Sequence, residues 1–210
     1  MAAQQTAGRG RLGNSFFSPP GGLYASLVLR PSLPPREAPL IGLAAGLAVA
    51  EAVHARTGLR PVLKWPNDLL LEDRKLSGVL LEASSSGGTL RHAIQGIGVN
   101  VNVAAFPEEL AGSATSLVLE GGEMPLEPLL AELLACFEAR YHDLLASGPD
   151  ATLASWRAWP NLLGSRVRIA EAQPWSGVAQ DLADDGALLV RDEAGQLRRV
   201  VAGDVHLLQS

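Results

Sequence analysis

The stretch Q-T-A-G-R-G-R-L-G, residues 5–13, places two arginines among three glycines near the start of the chain. Glycine lets the backbone approach a ligand closely and adopt positive φ. A guanidinium presents planar, permanently charged donors that match carboxylate and phosphate oxygens. The composition of this stretch therefore predicts a loop that wraps an anionic ligand.

The same stretch contains the pattern G-x-G-x-x-G at Gly8, Gly10 and Gly13, which also occurs in dinucleotide-binding folds. That fold needs a hydrophobic strand before the glycines and a helix that opens within them. Here the chain begins only seven residues earlier, and N-S-F-F-S-P-P-G-G follows as residues 14–22. Because this following segment cannot be helical, we interpret the stretch as a ligand loop of a different fold.

The chain has 210 residues, 47% of them hydrophobic, and a formal net charge of −5. This length suits one domain of moderate size with a small appendage, and the apolar content is enough for a full core. The acidic balance argues against a broad nucleic-acid surface, so we expect no nucleic-acid partner. Cys136 is the single cysteine, which excludes a disulfide framework, and the longest apolar stretch, residues 41–50, is too short for a bilayer. We expect a cytoplasmic protein with no membrane partner.

The spacing of apolar residues predicts an antiparallel sheet backed by helices. Residues 23–29 alternate as a half-buried strand, and residues 39–57 repeat with a helical period that ends at Gly58. A long amphipathic helix is predicted over residues 126–145, and a shorter one over 150–159. Further strands are predicted over residues 60–65, 69–71, 76–82 and 90–103, with a turn at Pro66-Asn67-Asp68.

The predicted secondary structure changes after residue 160 from long helices to short strands. Five short strands follow in fewer than about fifty residues, which is typical of a small barrel of SH3-like size. We therefore predict an α+β protein. Residues 1–160 form a mixed, mostly antiparallel sheet backed by helices, and residues 161–210 form the barrel.

Three further stretches are polar in apolar surroundings: K-W-P-N-D at residues 64–68, R-K-L-S-G at 74–78 and G-I-G-V-N-V-N at 96–102. Each one alone fits an ordinary turn or strand end. Together with Q-T-A-G-R-G-R, in this order and at these spacings, they closely resemble the bacterial biotin protein ligases, which act as biotin–[acetyl-CoA-carboxylase] ligases. The resemblance covers essentially the whole chain, including the C-terminal barrel.

The resemblance implies a fold of the class II synthetase and biotin ligase type, with a catalytic domain over residues 1–160 and an SH3-like domain over 161–210. It also implies an enzyme that uses ATP to convert biotin into biotinyl-5′-adenylate. The biotinyl group is then transferred to a lysine of the biotin carboxyl carrier protein. The expected substrates are ATP and biotin, with Mg²⁺ bridging phosphate oxygens. Whether two subunits pair as a homodimer through the open sheet edge, as relatives often do, is left open by the sequence.

By the same resemblance, Arg11, Lys75 and Asp68 carry the chemistry. Fixed positive charge is required independently, because the biotin carboxylate and the ATP α-phosphate repel each other and must meet in line. Asp68 is the candidate to hold Mg²⁺ or to orient the incoming lysine, and Phe16 stands where the family often has tryptophan. The expected biotin-binding residues are Gln5, Arg9, Gly10, Arg11, Phe16, Lys75 and Gly78, and the expected nucleotide-binding residues are Lys64, Asn67 and Asn100.

This sequence differs from the family pattern in several places, so alternative functions stay open. The strand and Ser/Thr-Asn stretch that contact the biotin ureido group have no counterpart in residues 1–4, so we expect them upstream of Met1. The DNA-binding domain of some relatives is not in this sequence. An arginine that relatives often carry near Leu208 or Gln209 is also absent, which weakens the case for contact between the barrel and ATP. The alternatives are a non-catalytic or impaired biotin-binding remnant and a lipoyl or octanoyl transferase-like enzyme. The R-G-R loop with K-W-P-N-D and R-K-L-S-G favours biotin.

Overall fold

The first sheet of the computed structural model carries the loop and the polar stretches identified above. The structure describes residues 1–122 and 124–208. The strands lie in the order β1-β5-β4-β3-β2, and all neighbouring strands are antiparallel. They are β1 (Leu23–Leu29), β2 (Val62–Lys64), β3 (Asp68–Leu71), β4 (Arg74–Ser86) and β5 (Thr89–Val99).

Helix α1, Ala38–Thr57, packs on one face of this sheet and is buried around most of its circumference. Its alanines and glycines let it lie close to the strands, and a Cβ at Gly46 would be 3.9 Å from the side chains of Leu63 and Leu69. Gly58 ends the helix at φ 78°, as predicted. The apolar segment Pro35–Thr57 is long enough to cross a membrane, but 72% of its most apolar window is buried inside the fold, as in a core helix.

Two further long helices cover α1 from outside. Helix α4, Leu126–Ser147, packs along α1, and α5, Pro149–Ala158, packs on both. Arg140 on α4 forms an ion pair with Glu51 on α1, with 3.1 Å between Nε and Oε2. The shorter helices are α2 (Glu108–Ala111) and α3 (Leu117–Glu120), of which the second was not predicted.

The C-terminal segment forms a second antiparallel sheet in the order β10-β6-β7-β8-β9. The five predicted strands are confirmed, but within the described residues β9 and β10 are the two edges and do not pair to close a barrel. Trp65 Nε1 donates to the carbonyl oxygen of Gly186 at 2.8 Å and ties this sheet to the first. The strands are β6 (Arg166–Ala170), β7 (Trp175–Leu182), β8 (Leu188–Asp192), β9 (Leu197–Val200) and β10 (Asp204–Leu207).

The predicted α+β class is confirmed, with differences in detail. All pairings between named strands are antiparallel, and the parallel contacts are isolated bridges such as the one between Lys75 and Ala114. The predicted turn at 66–68 is shorter, because Asp68 already pairs with Lys64 and Gly78 as the first residue of β3. The division at residue 160 stays a prediction, and Gln209 and Ser210 of the predicted second domain lie outside the described residues.

Candidate functional site

A cavity of about 430 Å³ lies on the face of the first sheet opposite α1. Side chains alternate across the central strands, so that Val79 and Ile97 are buried in the core. Their neighbours Gly78, Gly96 and Gly98 face the cavity, where Gly78 and Gly98 are cross-strand partners. Glycines at these positions leave a shallow floor on which a flat ring can lie close to the backbone.

The arginine-glycine loop forms one wall of this cavity. Phe16 N–H donates to the Gly8 carbonyl at 2.9 Å, and Gly10 N–H donates to the Asn14 carbonyl at 2.7 Å. A Cβ on Gly8 would lie 2.3 Å from the Phe16 carbonyl oxygen, so only glycine fits this crossing. Leu12, at the tip, has a left-handed φ of 55° and is 69% exposed. The loop is thus closed on itself by backbone hydrogen bonds.

The Phe16 ring projects from this loop onto the glycine floor. A Cβ on Gly98 would lie 2.7 Å from its Cε1, and a Cβ on Gly78 would lie 3.3 Å from its Cε2. The ring meets Tyr24 edge to face at 6.4 Å, and Lys75 Nζ lies 5.7 Å from the ring centroid. Burial raises the pKa of Tyr24 to about 12, so its hydroxyl stays protonated and donates to the carbonyl oxygen of Pro19. Phe16 therefore lines the cavity with an aromatic ring, and its contact with biotin stays a prediction.

Charged side chains converge at one end of the cavity. Lys75 Nζ lies 2.6 Å from Asp68 Oδ1, and Lys64 Nζ lies 3.6 Å from Asp68 Oδ2. Asn67 Nδ2 also donates to Asp68 Oδ1 at 3.2 Å, and Asn67 Oδ1 accepts from Arg11 Nη1 at 3.2 Å. Two lysines share one carboxylate, and Arg11 approaches it through Asn67. This grouping of cations suits an anionic ligand.

The backbone of Lys75 is fixed by residues 113–115. Its N–H donates to the Ser113 carbonyl at 2.8 Å, and its carbonyl accepts from Thr115 N–H at 2.9 Å. The Asn100 side chain, 3% exposed, donates from Nδ2 to the Thr115 carbonyl at 3.0 Å and to the Lys75 carbonyl at 3.4 Å. Asn100 Oδ1 is buried without a hydrogen-bond partner among the described residues. Asn100 thus lies beneath Lys75 and supports its backbone.

The structure brings together all but one of the predicted site residues. The exception is Asn100, which does not line the cavity because β5 ends at Val99 and the chain turns inward after it. The others, including the exposed Arg9, share the one cavity. They are Gln5, Arg9, Gly10, Arg11, Phe16, Lys64, Asn67, Asp68, Lys75 and Gly78.

The second sheet also reaches this cavity, which the sequence did not indicate. Asp204 and His206 on β10 line it, and Arg11 Nη1 donates to the Gly203 carbonyl at 3.3 Å. The second sheet therefore contributes to the cavity, and whether it contacts ATP stays a prediction. The alternation D-V-H, with Val205 buried, was the available signal, but its direction depends on how the two sheets pack.

A metal site made only of protein ligands does not fit the described residues. No group of three or more histidine, cysteine, aspartate or glutamate side chains able to hold an ion is found in residues 1–122 and 124–208. Both oxygens of Asp68 are engaged by ammonium groups, so a cation would have to displace at least one of them. Mg²⁺ binding by Asp68 accordingly stays a prediction.

Comparison with known proteins assigns the chain to a family. Residues 1–100 match the biotin/lipoate A/B protein ligase family, and residues 162–208 match the biotin protein ligase C-terminal domain. The chain is 35% identical to the biotin–[acetyl-CoA-carboxylase] ligase of Paracoccus denitrificans over 208 residues, covering 93% of this chain and 85% of that protein. The biotin protein ligase of Aquifex aeolicus, solved with biotin and ATP, superposes with a TM-score of 0.84 at 30% identity and covers 99% of this chain and 87% of that one.

The chain is also similar to longer proteins. It is 34% identical to the bifunctional ligase/repressor BirA of Bacillus spizizenii over 212 residues, which cover 99% of this chain and 65% of the relative. The chain thus spans less than two thirds of that relative's length. The matches to ligases of similar length and to both family regions are sufficient for the assignment made from the motifs. The chain belongs to the bacterial biotin protein ligases, within the biotin/lipoate A/B protein ligase family.

Proposed function

We propose that this chain activates biotin with ATP as biotinyl-5′-adenylate and transfers the biotinyl group to one lysine of the biotin carboxyl carrier protein of acetyl-CoA carboxylase. The observation that carries the proposal is the convergence of Arg11, Lys75 and Asp68 in one glycine-floored cavity. The names of its relatives, biotin–[acetyl-CoA-carboxylase] ligases, support the choice of substrate and partner.

In the first half-reaction, an oxygen of the biotin carboxylate attacks the α-phosphorus of ATP. The bond from this phosphorus to the oxygen that bridges to the β-phosphate breaks, and pyrophosphate leaves with the electron pair. The reacting groups are both anionic, so Lys75 and Arg11 offset their repulsion with preorganised charge. Mg²⁺, when it is bound with the nucleotide, supplies further positive charge to the phosphate oxygens.

Before this step Lys75 is paired with Asp68 at 2.6 Å. An incoming anion therefore competes with a carboxylate that is already in place, and Asp68 is free to turn towards Lys64 or the substrate when Lys75 changes partner. Arg11 is likewise held by Asn67 and by the Gly203 carbonyl, which leaves its other guanidinium nitrogens for a ligand. These pairings keep the cations oriented for the substrates.

The loop and the floor position biotin. Arg9 and Gly10 close over the ligand, Gln5 borders its ring system, and Phe16 packs against its apolar part above Gly78. Closure of this loop excludes water, which would otherwise hydrolyse the mixed anhydride.

Lys64 and Asn67 are the nucleotide contacts in this proposal. Their side chains lie beside Asp68 at the charged end of the cavity, 3.6 Å and 3.2 Å from its oxygens. Asn100 contributes through the Lys75 backbone, whose carbonyl oxygen accepts from Asn100 Nδ2 at 3.4 Å.

A single experiment separates the proposed function from its alternatives. The purified chain is incubated with ATP, radiolabelled biotin and a carrier domain, and pyrophosphate release and carrier labelling are both measured. We expect both products. Biotin binding without pyrophosphate release would instead identify a binding remnant, and labelling with octanoate or lipoate in preference to biotin would identify an acyltransferase of the wider family.

Arg11→Ala tests the loop in the same assay. The fold should be unchanged, while biotinyl-adenylate is released faster because the guanidinium no longer holds it. Arg91→Ala is the matched control, since Arg91 is exposed on β5 and does not line the cavity. Equal adenylate release by the two variants would contradict the role of the loop.

A further inference from the structure

The second sheet presents one histidine to the cavity, and its strand is held firmly. On β10, Val205 is 1% exposed and points into the core of the sheet, so Asp204 and His206 share the opposite face. Both line the cavity. The Arg11 hydrogen bond to the Gly203 carbonyl ties the start of this strand to the ligand loop. His206 is thus carried by a paired strand at the rim of the site.

The transfer step needs a proton acceptor at this site. When a lysine amine becomes an amide, the nitrogen loses a proton that it cannot keep in the product. Asp68 is poorly suited to take it, since Lys75, Lys64 and the Asn67 amide already occupy its oxygens at 2.6, 3.6 and 3.2 Å.

The other side chains that line the cavity leave few candidates for the proton acceptor. Serine, glutamine and a protonated tyrosine are not bases near neutral pH, and carboxylates as a class are weak ones. Glu82 and Asp204 are the other carboxylates on the cavity wall. Imidazole is the side chain whose ordinary titration lies near neutral pH, and within the described residues His206 is the histidine that lines the cavity. Its ring makes no side-chain hydrogen bond or ion pair within the described residues, which leaves it open to a substrate.

We propose that the imidazole of His206 accepts the proton that the carrier lysine loses as it attacks the acyl carbon of the bound adenylate. The inference rests on the proposed function and assigns a catalytic residue to its second half-reaction. The lysine first releases one ammonium proton to solvent. Its nitrogen then bonds to the acyl carbon, the bond between that carbon and the phosphate oxygen breaks, and AMP leaves with the electron pair. The second proton passes to a ring nitrogen of His206 and from there to solvent.

The test separates the two half-reactions with His206→Gln. Adenylate formation from biotin and ATP is measured without carrier, and transfer is measured in a single turnover after saturating carrier is added to the preformed enzyme–adenylate complex. We expect adenylate formation within about twofold of wild type and a transfer rate lowered about 100-fold, the lower end of the range for general-base catalysis. In His206→Ala, added imidazole should restore part of the lost transfer rate.

Arg168→Ala is the matched control, because Arg168 pairs directly with His206 across the sheet and is exposed, but does not line the cavity. It should transfer at the wild-type rate and gain nothing from imidazole. Three results would overturn the inference: wild-type transfer by His206→Gln, equal slowing of both half-reactions, or a weaker carrier affinity with an unchanged saturated rate. If wild-type protein forms no adenylate, the proposed function itself fails, which is a distinguishable outcome.

Discussion

Lys75→Met removes the ammonium group that we propose acts on the reacting anions, and it keeps a side chain of similar length. Lys64 offers a matched comparison, because both lysines face the same carboxylate of Asp68. Lys75 Nζ lies 2.6 Å from one oxygen, whereas Lys64 Nζ lies 3.6 Å from the other, which is beyond a hydrogen bond. The Lys75 side chain is 34% exposed and the Lys64 side chain 21% exposed. Burial alone would therefore predict the stronger electrostatic effect for Lys64, whereas the shorter distance to Asp68 predicts it for Lys75.

The distances set the expected magnitudes. A hydrogen bond to a charged group contributes about 1.5–3 kcal/mol, which corresponds to a loss of roughly 10- to 150-fold in adenylate formation for Lys75→Met. A charge that acts without a hydrogen bond in a partly exposed position contributes about 1 kcal/mol or less, so Lys64→Met should lose about fivefold or less. For the same reason, neither change should lower the free energy of unfolding by more than about 1 kcal/mol.

Pyrophosphate exchange in the presence of biotin and ATP measures this half-reaction, and urea denaturation verifies the fold of each variant. Biotin should bind more weakly to Lys75→Met, while Lys64→Met should mainly raise the KM for ATP. The proposed role of Lys75 is excluded if Lys64→Met loses as much exchange activity as Lys75→Met, or if Lys75→Met keeps more than about a third of the wild-type activity.

Three further changes test the packing around the site. Gly98→Ala would place a Cβ 2.7 Å from Phe16 and displace its ring by about 1 Å; calorimetry should show biotin binding at least about tenfold weaker, and unchanged affinity would exclude the ring as part of the biotin site. Gly42→Ala, in α1 with no heavy atom near the added methyl, should raise the free energy of unfolding by up to about 1 kcal/mol in a urea titration, and a loss would show that the helix is packed more tightly there. Trp65→Phe leaves the Gly186 carbonyl without its donor and should lower the unfolding free energy by about 1–3 kcal/mol, whereas an unchanged Tm would mean that this bond does not hold the two sheets together.

The sequence predicted correctly those elements whose formation depends on residues a few positions away in the chain. The period of small apolar residues in α1 and the glycine that ends it at φ 78° depend on neighbours a few positions away. The strands of both sheets were found for the same reason. The unpredicted helix α3 is only four residues long, and its Ser116 N-cap depends on contacts with distant residues such as Val103.

The arrangement of the site depends instead on contacts between residues far apart in the chain. The motifs supplied residue types that are able to bind an anion, and all of the predicted site residues but Asn100 reach one cavity. A sequence motif does not tell whether a side chain at a strand end points to ligand or to core. For Asn100 the direction is decided by its hydrogen bonds to the Lys75 and Thr115 carbonyls.

The sequence by itself determined the family, the order of the elements and the chemical character of the loop, because these follow from residue types and spacings. Only the tertiary structure decided which side chains share the cavity. Asp204 and His206 belong to it because the second sheet docks against the first, with Trp65 and Arg11 bonded to it across about 120 and 190 residues of chain. Contacts between residues so far apart depend on how whole sheets pack, and no local pattern encodes them.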